Sequence, residues 1–306
     1  MKTSNKLSIN SQYEKFIERF FKWAKTRQDI RAAIVIGSRA RLDHPADEWA
    51  DLDIIVISTN PEYYTSEAEW VDNIGNPLLT FVEPTPTGDT MERRVLFEGM
   101  LDVDFSIVPK RGFQQLLQPG INPQTTVQIS NIFGRGMRVL VDKDGMLAQV
   151  RKLLESIQNP TPSPPTQDEF VQVVNDFIYH SVWTAKHIRR GELWWALGCV
   201  NCKLSFLLLR MIEWHARVTH GWNYDTWLRG RFLEEWADRR VQKGLRKAYA
   251  HYDREDIAEA LLGAMDLFRW VSIQTADKLG FSYPTSADRQ VADWIESWLL
   301  KENRTH

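Results

Sequence analysis

Asp51 and Asp53 flank one apolar residue at the head of the run LDIIVI. Alternate residues of a strand point to one side, so a strand here presents both carboxylates together while Leu52 turns into a core. Like charges held side by side repel, and the pair is costly unless a cation neutralises it. Magnesium meets that need, because it takes oxygen ligands and binds through one or two carboxylates together with substrate phosphates. Upstream, the β-branched run RAAIVIG ends on Gly37, followed by Ser38. A glycine at a strand end lets a phosphate approach the backbone, and Ser38 offers a hydroxyl and an N–H to phosphate oxygens. Arg39 and Arg41 bring positive charge to the same loop, where they would compensate the outer phosphates of a nucleoside triphosphate as pyrophosphate leaves.

A third acid comes from LDVDFSIV. Asp102, Asp104 and Ser106 share one face of that segment, and Leu101, Val103, Phe105 and Ile107 share the other. If it pairs beside the strand that carries Asp53, one of its acids joins the site; on pattern alone Asp102 and Asp104 are rivals. Three carboxylates from two strands match the two-ion arrangement for in-line displacement at phosphorus.

The elements that must position these residues are readable as well. Tyr13, Phe16, Phe20 and Trp23 fall at helical spacing over residues 12–27. RAAIVIG and Leu52 to Ile57 predict buried strands, residues 61–75 a helix, and LLTFVE, RRVLFE and LDVDFSIV three more strands. The pattern is mixed α/β. The segment NPTPSPPTQ then breaks it with four prolines and no large apolar residue, as a linker does. We expect two domains, 1–158 and 159–306. The second reads as all helical, with helices at 168–190, 192–218, about 227–250, 255–279 and 288–300. Ten of the thirteen tryptophans lie there, among them Trp183, Trp194, Trp195, Trp214, Trp236 and Trp270, and they read as core. Cys199 and Cys202 lack a second Cys or His pair at zinc-ligand spacing and read as packed thiols.

Composition excludes several functions. The 306 residues carry a net charge of −2, without the basic footprint of a protein that holds long nucleic acid. No stable nucleic-acid partner is expected, and small molecules are. The N-terminal residues MKTSNKLSINSQYEKF contain no apolar core of signal-peptide length. No uninterrupted apolar run reaches the roughly 18 residues of a membrane helix. A cytoplasmic protein without a membrane partner is the expectation.

GSRARLDHPADEWADLDIIVI resembles the active-site segment of the polymerase-β-like nucleotidyltransferases. Within them it is similar to the aminoglycoside 6-adenylyltransferases, also called streptomycin adenylyltransferases. VDFSIVP matches the strand of that family's third acid and favours Asp104 over Asp102. PTQDEFVQVVNDF, LLLRMIEWH and LGFSYP resemble its helical domain, so the likeness runs from Ile30 to about Trp298. It implies an α+β chain: a polymerase-β-like domain, with a mixed sheet and flanking helices, followed by an all-α bundle that binds substrate. It further implies that AMP passes from ATP to an aminoglycoside hydroxyl with release of pyrophosphate, a reaction that confers antibiotic resistance. Ser38 and Arg39 would then bind triphosphate, and Asp51, Asp53 and Asp104 would bind magnesium, two ions in all. Departures occur at Arg41-Leu42, where the family commonly has asparagine, and at Trp49-Ala50, where it has Phe-Gln. Arg229 and Arg231 stand where it often carries a Gly-Lys element.

A polycationic acceptor calls for an acidic surface. Glu169 and Asp176 lie seven residues apart on one face of the first predicted helix of the second domain, with His180 a turn further on. Asp176 could bind the cation or take the hydroxyl proton as general base. Glu213 is a further candidate that could instead pair with Arg210 or Arg217, and His215 and His220 read as structural. Two other readings compete: the same chemistry on a protein or RNA acceptor, and a catalytically silent nucleotide-binding regulator. The mildly acidic composition argues against RNA, and the presence of all three acids argues against silence.

Overall fold

The computed structural model describes residues 8–85, 90–118, 123–156 and 162–302. Its chain divides into two compact units, Met1–Pro160 and Thr161–His306.

In the first unit, α1 (Ile9–Thr26) begins where the Ser8 side chain accepts a hydrogen bond from the Ser11 N–H, and it buries Tyr13, Phe16, Ile17, Phe20 and Ala24. Six strands follow: β1 (Ile30–Ile36), β2 (Leu52–Ser58), β3 (Pro77–Pro84), β4 (Met91–Phe97), β5 (Leu101–Pro109) and β6 (Arg138–Asp142). They form one sheet in the order β3-β4-β5-β2-β1-β6. β2 and β5 pair in parallel, and the other neighbours pair antiparallel. Alternation sorts the side chains. Ala33, Val35, Leu52, Ile54, Val56, Val103 and Phe105 join the aromatic residues of α1 in one core. Ala32, Ile34, Ile55 and Ile57 face the opposite side, against Phe113, Ile129, Phe133 and Met146. These last four come from α3 (Lys110–Gln115), α4 (Pro123–Phe133) and α5 (Met146–Ser156), which succeed the short α2 (Pro61–Ser66). Asp53 lies between Leu52 and Ile54 in β2, so it points to the second of these faces.

The helix expected over 61–75 is shorter than its pattern. α2 ends at Ser66, Glu67 is extended, and a 3-10 turn covers Glu69–Asn73. The buried Arg93 of β4 explains the end. Its guanidinium donates to the carbonyls of Tyr64 at 2.9 Å and Thr65 at 2.6 Å, which satisfies helix-terminal acceptors that would otherwise need a further turn. The edge strand β6 and helices α3 to α5 go beyond what periodicity showed.

The second unit is helical: α6 (Gln167–Arg189), α7 (Leu193–Gly198), α8 (Ser205–His220), α9 (Leu233–Trp236), α10 (Arg239–Leu245), α11 (Arg254–Leu279) and α12 (Thr285–Glu302). A π-helical turn, Cys199–Leu204, joins α7 to α8. Residues 193–220 are long and apolar enough by composition to cross a membrane. Here Leu204, Leu207, Leu208, Met211 and Ile212 of that stretch are buried in the core of the unit. Phe177 of α6 stacks on Phe268 of α11 with ring centroids 3.7 Å apart.

Three expectations are corrected in this unit. No long helix covers 227–250, because Trp227, Arg229 and Phe232 all have positive φ, a region that breaks a right-handed helix. Trp194 and Trp195 are 75% and 64% exposed, not core; their neighbour Ala196 takes the buried position at the start of α7. Cys202 is exposed while Cys199 is buried, and both are free thiols.

Candidate active site

β1 runs into Gly37, whose φ of +69° is a conformation that side-chain-bearing residues rarely adopt. The close approach is just as restrictive: a Cβ on Gly37 would lie 2.2 Å from Asp53 Oδ2. The glycine therefore lets a single 3-10 turn, Gly37–Arg39, sit directly against the Asp53 carboxylate. Ser38 Oγ is buried there and has no hydrogen-bond partner among the described residues.

Asp51 immediately precedes β2, and Asp53 is its second residue. The parallel register sets Asp53 opposite Asp104 of β5. Asp51, Asp53 and Asp104 each offer a carboxylate oxygen within 4.8 Å of the others. Asp104 is 5% exposed. Its Oδ1 is buried without a hydrogen-bond partner among the described residues, while Oδ2 meets Arg94 Nη1 at 3.1 Å. Burial pushes the Asp104 carboxyl up to about 7; Arg94 draws it down, and Asp102, Asp53 and Glu92 raise it further. The rival Asp102 lies on the same face of β5 but is exposed and outside the cluster.

Such a set of acids has the chemistry of a magnesium site. Three hard oxygen donors converge, one buried carboxylate oxygen lacks a partner among the described residues, and the adjoining turn begins on a glycine packed against one of the donors. The residues present fit that ion.

Arg39, expected to contact phosphate, makes contacts within the chain here. Its guanidinium donates to the carbonyls of Ala50 at 2.6 Å and Asp51 at 2.9 Å, and it stacks 3.5 Å from the centroid of the Tyr13 ring. It is a strut that fixes the backbone leading into Asp51. Arg41 donates from Nε to the His44 carbonyl and holds the turn of the same loop.

In the second unit, Glu169, Asp176 and His180 all lie on α6, and the structure gives each a local partner. Glu169 closes a capping box, accepting from the Thr166 N–H at 2.8 Å while its own N–H donates to Thr166 Oγ1. Asp176 is held between Lys203 Nζ and His180 Nδ1, each at 2.7 Å. Lys203 comes from the π-helical turn, which spacing within α6 could not reveal. The half-buried Glu213 is raised by desolvation, with Arg217 and then Arg210 drawing it down. His215 is buried against Trp270.

Reading from motifs also missed Glu83, Glu92 and Arg94. Arg94 lies directly opposite Asp104, and Glu92 lies opposite Glu83. The alternation in MERRVLF held a signal for two of them, since Glu92 and Arg94 share one face. Only the adjacency of β4 and β5 brings that face beside the acids.

A family model described as streptomycin adenylyltransferase matches residues 11–298. An aminoglycoside 6-adenylyltransferase of Campylobacter jejuni is 23% identical over 285 residues, covering 89% of this chain and 91% of the relative. Its namesake from Bacillus subtilis is 22% identical over 277 residues, covering 89% and 92%. Among solved structures, an aminoglycoside 6-adenyltransferase from Bacillus subtilis aligns over 92% of this chain and 96% of its own, at 19% identity and a TM-score of 0.42.

Proposed function

The chain belongs to the streptomycin adenylyltransferase family, and from that premise we propose that it transfers AMP from ATP to a hydroxyl of a streptomycin-like aminoglycoside, releasing pyrophosphate. The observation that carries this reading is the cluster of Asp51, Asp53 and Asp104 beside the Gly37-Ser38 turn. Magnesium, when bound, supplies charge neutralisation at the triphosphate and acidifies the attacking hydroxyl. Asp51, Asp53 and Asp104 would hold it, as two ions.

The chain's own residues do the rest. Gly37 lets the turn close against the Asp53 carboxylate, and Ser38 Oγ, buried without a partner among the described residues, donates to a phosphate oxygen. Arg39 keeps Asp51 in place through its hydrogen bonds to the Ala50 and Asp51 carbonyls. No base role is proposed for Asp176, which Lys203 and His180 already engage. We place the reaction in the cytoplasm, with resistance to the drug as its outcome.

The test is positional labelling. With ATP labelled at the α-phosphate the drug should acquire label, and with ATP labelled at the γ-phosphate the label should leave as pyrophosphate. Label reaching the drug from the γ position would make the enzyme a phosphotransferase and end this reading.

A further inference from the structure

We propose that Arg94 is a built-in counter-cation for the metal acids, neutralising Asp104 in the metal-free enzyme and competing with the ion for that carboxylate. The inference rests on the assignment of Asp51, Asp53 and Asp104 as metal ligands.

The sheet builds the arrangement. Arg94 is paired with Asp104 across β4 and β5, Glu92 with Ser106 across the same strands, and Glu83 with Glu92 across β3 and β4. Directly opposed residues share a face, so three carboxylates and one guanidinium meet on the side that carries Asp53. The fork spans three acids: Nη1 reaches Asp104 Oδ2 at 3.1 Å, Nη2 and Nε both donate to Glu92 Oε1 at 2.8 and 3.1 Å, and Nε also reaches Glu83 Oε1 at 2.5 Å.

Three features suit a counter-cation that yields. The contact with Asp104 is longer than the shortest contact to either glutamate, and it engages only one of Asp104's oxygens. Glu92 is 5% exposed, and a carboxylate so buried is costly without a cation, which ties Arg94 to it whatever happens at Asp104. Glu83 adds a second anion. When an ion takes Asp104, Arg94 therefore remains neutralised, and no buried charge is orphaned.

The consequence is discrimination against a free ion. A divalent cation bound at the three acids must take Asp104 from the guanidinium that already partners it, and losing that charge-assisted contact weakens its binding about tenfold or more. A triphosphate brings negative charge that offsets it. The enzyme thus takes up its metal together with nucleotide.

Mn2+ binding to the full-length protein without nucleotide tests this, by calorimetry or electron paramagnetic resonance, alongside melting temperatures in EDTA and in Mn2+. Arg94→Gln should bind Mn2+ about tenfold more tightly than wild type, and should melt lower in EDTA with most of the loss recovered in Mn2+. Arg94→Lys keeps the charge and should stay within about threefold of wild type. Glu92→Gln frees Arg94 to lean on Asp104 and should bind Mn2+ several-fold more weakly. An unchanged or weaker affinity in Arg94→Gln, an equal gain in Arg94→Lys, or a gain in Glu92→Gln would each overturn the proposal. Failure here is distinct from failure of the site. A wild type that takes up no Mn2+ even with ATP present removes the metal assignment and this inference together; a wild type that binds while Arg94→Gln merely matches it removes only the role of Arg94.

Discussion

Gly37 shows how much one residue type can determine. It combines a φ of +69° with an approach that would place a Cβ 2.2 Å from Asp53 Oδ2. Gly37→Ala should cost about 1 kcal/mol through the backbone alone, and it should also displace the carboxylate. The expected result is a drop in kcat/KM of roughly a hundredfold or more with the far-UV spectrum unchanged; kinetics and circular dichroism on one preparation decide it. Asp104 carries a second prediction. Its native pKa of about 7 lies above the roughly 3.9 of an unfolded aspartate. Between those values the native state holds a proton that the unfolded state lacks. The stability this contributes is full below about pH 4 and is lost as pH rises through about 7. In EDTA the wild type should therefore lose stability over that window relative to Asp104→Asn. Melting curves that stay parallel across the series would show that the carboxyl titrates normally. At this scale much was legible in the sequence. The Gly-Ser turn and the alternation of Asp51, Leu52 and Asp53 are local patterns. Arg39 was not, because what its guanidinium meets depends on where Tyr13 and the Ala50 carbonyl come to rest.

Elements decide which distant residues meet. Asp53 faces Asp104 only because β2 and β5 are parallel neighbours in that register; a slip of one residue would turn Asp104 into the aromatic core. The pattern of LDVDFSIV supplied the face, but adjacency had to be assumed. In the second unit, the sequence Thr166-Gln-Asp-Glu169 is a capping-box signature, which spacing along α6 does not reveal. Glu169→Ala should lower stability by about 1 kcal/mol and leave the kinetics with ATP and drug unchanged, as thermal melts and initial rates can establish. A rise in the KM for the drug would return Glu169 to the acceptor surface. The missing helix at 227–250 has the same lesson in reverse: WLRGRFLEEW keeps apolar residues at helical intervals, yet Trp227, Arg229 and Phe232 adopt positive φ. Periodicity reports which side of a segment is apolar, not whether its backbone is continuous.

For the molecule as a whole, the alternation of short strands and helices before residue 159 and the long helical patterns after 167 carried the α+β architecture. The proposed chemistry stands in the first unit, where three acids, a glycine turn and the buried Ser38 hydroxyl converge. The residues chosen for the acceptor in the second unit are largely engaged by neighbours of their own unit, so the drug-binding surface was the least legible part. Charge on a helix face records solvation and capping as readily as recognition. The central claim is that Asp51, Asp53 and Asp104 drive AMP transfer to an aminoglycoside. Its most direct test is mass spectrometry of streptomycin incubated with full-length protein, ATP and magnesium, with Asp53→Asn run in parallel. Wild type should add one AMP per drug molecule and Asp53→Asn none, although the variant melts normally in EDTA. Wild type that leaves streptomycin and a panel of other aminoglycosides unmodified, or Asp53→Asn that forms product at the wild-type rate, would contradict it.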